Sequence, residues 1–582
     1  MLSYKHLART TVVASTYFGT FLPLFVSSYF PVVKVLQVGR RMSSFNNYGH
    51  DNNLKYPVIV TTTTSSSKIL HFSSSSSNQE EHMTRDAMQI INDAIRAVNP
   101  YTAIGSNLVR VNDTLKITNK GQQLEYNLSE DYDEIVIIAF GKASSSMATA
   151  VIQQIFPKII NNDDSTSSSH NIPCRGVVIC KDEHITTHEK DVLTEHGIET
   201  YEASHPVPDA RSSNAADKLL QMVSSRASPR TLVICSISGG GSSLFCRPTP
   251  PLTLQDLQQV NSVLLANGMD IQEMNVLRKR LEQGKGGRLA ASCFPSHVVA
   301  LILSDVIGDP LDLIASGPTV PDTSTWEDGW RILQQYNLKD KLPKVVVDML
   351  QNGKDGRIED SPSADHPVFE NTKNILVGNN ALAVEAASNT ARSLGYNPIV
   401  LGTEIEGEAK EIANVYTAVA SYLQNSLSKK TTKNNTTQEQ QSNPALRHTM
   451  TQSLPTAIIA GGETTVTLTP NSGKGGRNQE LALSAALKLE SLGLRNVVLA
   501  SVGTDGGDGP TDAAGAVVDA TTITGTRPQA LEALANHNAY PYLDSLKGTT
   551  EWPPLIKTGP TGTNVADICV TLVKSKPEQG TS

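Results

Sequence analysis

Four short runs of branched and apolar residues, EIVIIAF (134–140), GVVIC (176–180), TLVICSI (231–237) and HVVALILS (297–304), constrain most strongly how this chain can fold. None of them alternates apolar with polar residues. A strand with one wet face alternates, so unbroken runs point to strands covered on both faces, as in parallel sheets layered by helices. The segments between them have helical spacing, as in AADKLLQMV and LQQVNSVLLA. A second series, NILVG (374–378), IIAGGE (458–463) and NVVLASVG (496–503), alternates with AVEAASNTARSLG and NQELALSAALKLESLG. We therefore expect an α/β protein of two domains, each a mainly parallel sheet covered by helices. The polar, turn-rich NGKDGRIEDSPSADHP (352–367) is the expected boundary, giving domains over 84–365 and 370–574.

At the amino-terminal side, and at two places inside, the composition changes. Residues 1–50 carry Lys5, Arg9, Lys34, Arg40 and Arg41 but no Asp or Glu, around the hydroxyl-rich apolar stretch TTVVASTYFGTFLPLFVSSYFPVV. A basic, serine-rich, acid-poor leader fits an import signal, while Pro23, Pro31 and the many hydroxyls speak against a membrane anchor. We expect a targeting segment over 1–50 that favours mitochondria over the secretory route, with Met42 or Met83 starting a cytoplasmic form, and no stable membrane association. Residues 51–83 have the composition of a low-complexity linker, and 161–171 and 424–453 that of disordered polar insertions. A formal charge of −8 with 5% aromatic residues lacks the basic, stacking surface of a nucleic-acid binder. Six cysteines without a CxxC pair, most of them in apolar runs, indicate neither a disulfide framework nor a cysteine-bound metal.

The functional signal lies just beyond the end of each strand. IIAF runs into GKASSS, VICSI into SGGGSS, LILS into DVIGDP, IIA into GGETT and LASVG into TDGGDGPTDAAG. Ligands of open α/β sheets bind beyond the carboxyl ends of strands, so glycines, acids and a lysine gathered there imply a site. Lys142 is expected in the first turn of a helix, where an ammonium meets a phosphate held by helix amides; a solvated lysine is the plainer alternative. Ser238, Gly239, Gly240, Gly241 and Ser242 form a nest-like turn rich in amide donors. Asp305 with Asp309, and Asp505 with Asp508 and Asp512, can hold Mg2+ or take a proton from a hydroxyl, although Asp-Gly turns are also common connectors. The pentapeptide GKGGR occurs at 284–288 and again at 473–477, each time before a helix-like run, in a turn suited to an anion. The histidines of HITTH (184–188) lack the glutamate of a zinc helix and fit a surface; no GxGxxG, Walker or GxSxG pattern is present. Phosphate-cradling turns, basic residues and acids for magnesium add up to phosphoryl transfer without naming the acceptor.

FGKA, SGGGSS, NVLRKRLEQGKGGRLA, LILSDVIGDPLDLIASGPT, AGGETTV, GKGGRNQELAL, GTDGGDGPTDAAGA and TGPTGTNVADI occur in this order. From about residue 84 to 574 the chain thereby closely resembles the class of glycerate kinases whose C-terminal region is called the MOFRL domain. The resemblance implies ATP- and Mg2+-dependent phosphorylation of D-glycerate in a cleft between the two domains, with 2-phosphoglycerate the favoured product and 3-phosphoglycerate the other label used. D-glycerate and ATP are the implied small-molecule partners, and a homodimer is compatible with it. Lys142, Asp305 and Arg477 are the implied catalytic charges. The turn residues Ser238 to Ser242, together with Asn275, Arg278, Lys279, Lys285, Glu463, Asn478, Glu480, Thr563 and Asn564, are the implied substrate- or phosphate-binding candidates, and Asp505 and Asp508 the metal candidates. Asn275, Arg278 and Lys279 can share one helical face by their spacing. In the family pattern the repeated turns are KGGxLA and GGRNQE, so Lys285 and Arg477 carry the likeness and Arg288 does not. Two alternatives are a hydroxypyruvate reductase, against which the missing dinucleotide fingerprint counts, and a non-catalytic phosphometabolite-binding protein, against which Asp305, Asp505 and Asp508 count.

Overall fold

The computed structural model describes residues 77–119, 121–157, 172–428, 455–547 and 552–576. The expected targeting segment, most of the linker and the insertion at 161–171 lie outside them. A small antiparallel sheet of β1 (Leu108–Val111), β2 (Thr114–Asn119) and β3 (Gln122–Asn127) comes first. Next are β4 (Glu134–Phe140), β5 (Cys174–Lys181), β6 (Ile198–Ala203), β7 (Thr231–Ser238), β8 (His297–Leu303) and β9 (Thr372–Gly378). They form one parallel sheet in the order β6-β5-β4-β7-β8-β9.

The unbroken apolar runs are explained by what covers them. In β4, Ile135, Ile137 and Ala139 are buried in one cluster with Met147 and Val151 of the helix Ser144–Ile155. Val136, Ile138 and Phe140 are buried in another with Ala215 and Leu219 of the helix Ala210–Ser225. Each fully buried aliphatic side chain contributes about 1.5–3 kcal/mol, so both faces of the strand favour this layering.

The second sheet holds β10 (Asn397–Glu408), β11 (Thr456–Thr465), β12 (Val497–Gly503), β13 (Gly515–Asp519), β14 (Leu555–Ile556) and β15 (Asp567–Val573), in the order β10-β11-β15-β12-β13-β14. Helices cover it on both faces too, so the α/β class holds. It is mixed rather than mainly parallel: β10 and β11 run together, and every other pair is antiparallel. Non-alternating runs report double burial, and burial does not record strand direction.

Three boundaries differ from the expected ones. NILVG belongs to β9 and pairs with β8 in the first sheet, so the chain changes sheets after Gly378 and not near 365–370. The first helix starts at Ser77, inside the expected linker, and its Met83 is fully buried. The helix Ala409–Ser428 runs into the expected insertion, where Gln424 is buried and donates to the carbonyls of Arg495 and Lys574. The helix Ser77–Ala97 crosses over to pack on β12 and β15, and a single core cluster runs from it into both large sheets. All six cysteines are free, and among the described residues no helix is long and apolar enough to cross a membrane.

Candidate active site

The carboxyl ends of β4, β7 and β8 meet the loops after β11 and β12 and before β15. Leaving β4, the Lys142 amide donates to the Gly239 carbonyl (2.8 Å) and the Ala143 amide to Ser238 Oγ (3.0 Å). Lys142 thus stands just ahead of the helix that starts at Ser144, not in its first turn as expected. Gly239 is required by a close approach: a Cβ there would lie 1.8 Å from Asp305 Oδ2. Lys142 Nζ stands 3.6 Å from Asp505 Oδ2 across the two sheets, and Asn564 Nδ2 donates to Asp305 Oδ2 (2.9 Å). Asp305 is half-buried. Burial pushes its carboxyl up to about 6, Lys142 pulls it down, and Glu463 and Asp505 add to the rise. A carboxyl poised there suits proton transfer near neutral pH.

Arg477 sits at the same cleft, with Nε and Nη2 donating to the two oxygens of Asp567 (2.6 and 2.9 Å) and Nη1 2.9 Å from Glu463 Oε1. Burial would lower its guanidinium, and these acids more than reverse that. Its bidentate fork is therefore committed to Asp567, and only the Glu463 end can be exchanged for an anionic ligand. Under the glycine turn, the buried Lys285 donates to the Ser242 carbonyl (2.7 Å) and to Glu282 Oε1 (2.6 Å), while Ser316 Oγ joins Ser242 Oγ (3.0 Å) to Asn275 Oδ1 (2.9 Å). Lys285 and Asn275 hold the turn's shape from beneath. Arg278 lines an adjoining cavity together with Gly240 and Ser242.

The remaining candidates are turned elsewhere. Lys279 is buried, 3.3 Å from Asp312 and 3.5 Å from Asp322. Glu480 is buried against His537 Nδ1 (2.9 Å), Asn478 accepts from Ser501 Oγ (2.6 Å), and Thr563 Oγ1 donates to the Val98 carbonyl (2.6 Å). Asp508, expected to hold metal, is 2% exposed and accepts from the backbone amides of Asn478 (3.1 Å) and Gln479 (2.9 Å). It anchors the start of the helix Arg477–Ser491, whose free amides a carboxylate satisfies. Asp505 is the metal candidate that stays accessible; among the described residues no three His, Cys, Asp or Glu side chains gather as a metal site.

Two site residues are not legible in the sequence. Asp567 lies within TGPTGTNVADI, but nothing in that motif separates it from its neighbours. His205 follows β6 and faces the glycine turn, where a Cβ on Gly240 would come 2.9 Å from its ring. Burial, with Lys142 and Lys181 nearby, lowers it to about 4 and keeps it neutral. The strand-end rule finds His205 once β6 is recognised, but IETYEA carries too many polar residues to stand out.

The chain matches a family model described as a domain of unknown function (DUF4147) over residues 86–351 and the MOFRL family over residues 456–567. It is 35% identical over 492 residues to the glycerate 2-kinase of Pyrococcus horikoshii, covering 84% of this chain and 97% of that protein. It is 34% identical over 496 residues to the D-glycerate 2-kinase of Thermotoga maritima, covering 85% and 99%, and 32% identical to the human glycerate kinase, covering 83% and 92%. A crystal structure of the Thermotoga maritima glycerate kinase aligns with a TM-score of 0.66 at 32% identity, covering 85% of this chain and all of that one. With both family models matched in order and relatives aligned over nearly their whole length, the chain belongs to the glycerate kinase family that carries the MOFRL domain.

Proposed function

We propose that this enzyme transfers the γ-phosphoryl group of ATP to D-glycerate and forms 2-phosphoglycerate. The observation that carries the reading is the meeting of Lys142 and Asp305 from one sheet with Asp505 and Asn564 from the other, beside the glycine turn. The names of the Pyrococcus and Thermotoga relatives, both 2-kinases, support the 2-hydroxyl as acceptor.

Phosphoryl transfer leaves little bond chemistry to the protein, which must align the reactants and neutralise charge. Lys142 is the cation for the transferring group. Asp305, held by Asn564, takes the proton of the attacking hydroxyl. The Nη1 end of Arg477 can leave Glu463 for the glycerate carboxylate, while Asp567 keeps the guanidinium oriented. His205, neutral at physiological pH, adds no competing positive charge.

Mg2+ binds through one or two carboxylates plus phosphate oxygens and water, which suits the accessible Asp505 and does not suit the enclosed Asp508. When bound with ATP, the ion neutralises phosphate charge. The 31P NMR spectrum of the product made from ATP, Mg2+ and D-glycerate tests the reading. The 2-phosphate is expected; a 3-phosphate corrects the acceptor carbon. No phosphorylation, or NADPH oxidation with hydroxypyruvate, refutes kinase activity.

A further inference from the structure

Next to the glycine turn, on the side of the first sheet, is a cavity of ≈ 520 Å³ that shares Gly240 and Ser242 with the turn. It borders the site directly, because a Cβ on Gly240 would stand 3.2 Å from Lys142 Cγ. Val207 and Leu265 line it and are 57% and 66% exposed. Arg278 also lines it. Its Nε donates to Asn261 Oδ1 (3.0 Å), and its two terminal nitrogens make no hydrogen bond or ion pair among the described residues.

A three-carbon acid fills a fraction of this space and has no apolar face to cover Val207 and Leu265. The notch beside Asp305, lined also by Asp309 and Glu404, measures ≈ 100 Å³ and is too small for a nucleoside. We propose that the larger cavity holds the nucleoside of the phosphoryl donor, a purine base covering Val207 and Leu265. The phosphate chain then passes over Gly240 and Ser242 toward Lys142. The free fork of Arg278 takes a phosphate that is not transferred, a pairing for which a planar guanidinium is suited. The inference rests on the donor being a nucleotide, as proposed above.

Two variants away from the catalytic groups test it. Val207→Ser/Leu265→Ser removes the apolar cover, and Ser262→Trp fills the cavity from its lining; both change positions that are not in the core. Loss of the apolar cover in the first variant, and of the space for the base in the second, should raise KM for ATP and Kd for ADP alone by about tenfold or more, with KM for D-glycerate and kcat within about twofold. Unchanged ATP and ADP values in folded variants overturn the proposal, as does a rise confined to KM for D-glycerate. Calorimetry with ADP separates this from the reaction assigned above. A wild-type protein that binds ADP through the cavity but fails to phosphorylate D-glycerate keeps the cavity and loses the reaction. Glycerate phosphorylation with ADP binding indifferent to both variants does the reverse.

Discussion

Lys142 faces Asp505 at 3.6 Å and acts electrostatically on Asp305, so its charge bears on two carboxylates before any ligand arrives. Replacing it by methionine keeps the apolar stem and removes the charge. Turnover is expected to fall by more than about a hundredfold, since a lost charge contact to a transferring phosphoryl group costs several kcal/mol of transition-state stabilisation. Near-normal kinetics in a folded Lys142→Met protein would place the phosphoryl group elsewhere. Asp305 makes a separate prediction. Its carboxyl is raised to about 6, so it is ionised and able to accept a proton above that pH. The value of kcat/KM should therefore decline as pH drops through about 6, and Asp305→Asn should be nearly inactive at every pH. A profile flat between pH 5 and 8 contradicts Asp305 as the base. Both residues were legible because each directly follows an apolar strand. Asn478, Glu480 and Thr563 belong to motifs as specific, yet their side chains bond to neighbouring segments, at Ser501, His537 and Val98. Sequence pattern marks which segment matters without saying which way each side chain turns.

At the scale of elements, identical sequence does not mean identical backbone. In the first GKGGR, Gly286 and Gly287 adopt left-handed conformations (φ 58° and 79°), and their amides donate to the carbonyls of Ser316 and Gly317. In the second, Gly476 is extended (φ −138°) and precedes a helix whose first amides are met by Asp508. The first turn packs beneath the glycine loop, and the second opens a helix that presents Arg477. The expectation that both turns suit an anion thus gives way to two different supports for one cleft. Asp508 yields a test at this scale. Burial raises its carboxyl from 3.8 to about 6, against the lowering pull of the Asn478 and Gln479 amides. The folded protein thus binds this proton more tightly than the unfolded chain. The group's stabilising contribution is full below about pH 4 and is lost as pH rises through about 6. Asp508→Asn cannot titrate, so the melting temperature of wild type minus that of the variant should shrink between pH 4.5 and 7.5. A constant difference over that range would mean that the carboxyl does not change protonation there.

Across the whole molecule, the division into two sheets is readable from the two series of apolar runs, but the way they are joined is not. The helix Ser77–Ala97 precedes the first sheet in sequence and packs on the second, and no local pattern announces so distant a partner. Its end reaches the site. The Val98 carbonyl accepts from Thr563 Oγ1, and Asn99 Nδ2 donates to the Thr561 carbonyl (3.4 Å), on the loop that brings Asn564 to Asp305. Its start is held by Glu80, which accepts from the Asn496 amide (3.1 Å), and by the fully buried Met83. This overturns the expectation that residues 51–83 are linker throughout. In the full-length protein, Met83→Ala should cost about 2–5 kcal/mol through the cavity it leaves, read as a lower melting temperature. A chain beginning at Thr84 loses both Met83 and the Glu80 contact and should melt lower still than one beginning at Ser77. Because the same helix ends on the loop of Asn564, the shorter chain should also lose kcat at temperatures where it remains folded, and its pH limb near 6 should move as Asp305 loses its partner. Equal melting temperatures and equal kcat for the two truncated chains would show that the first turns of the helix rest on the sheet without supporting it.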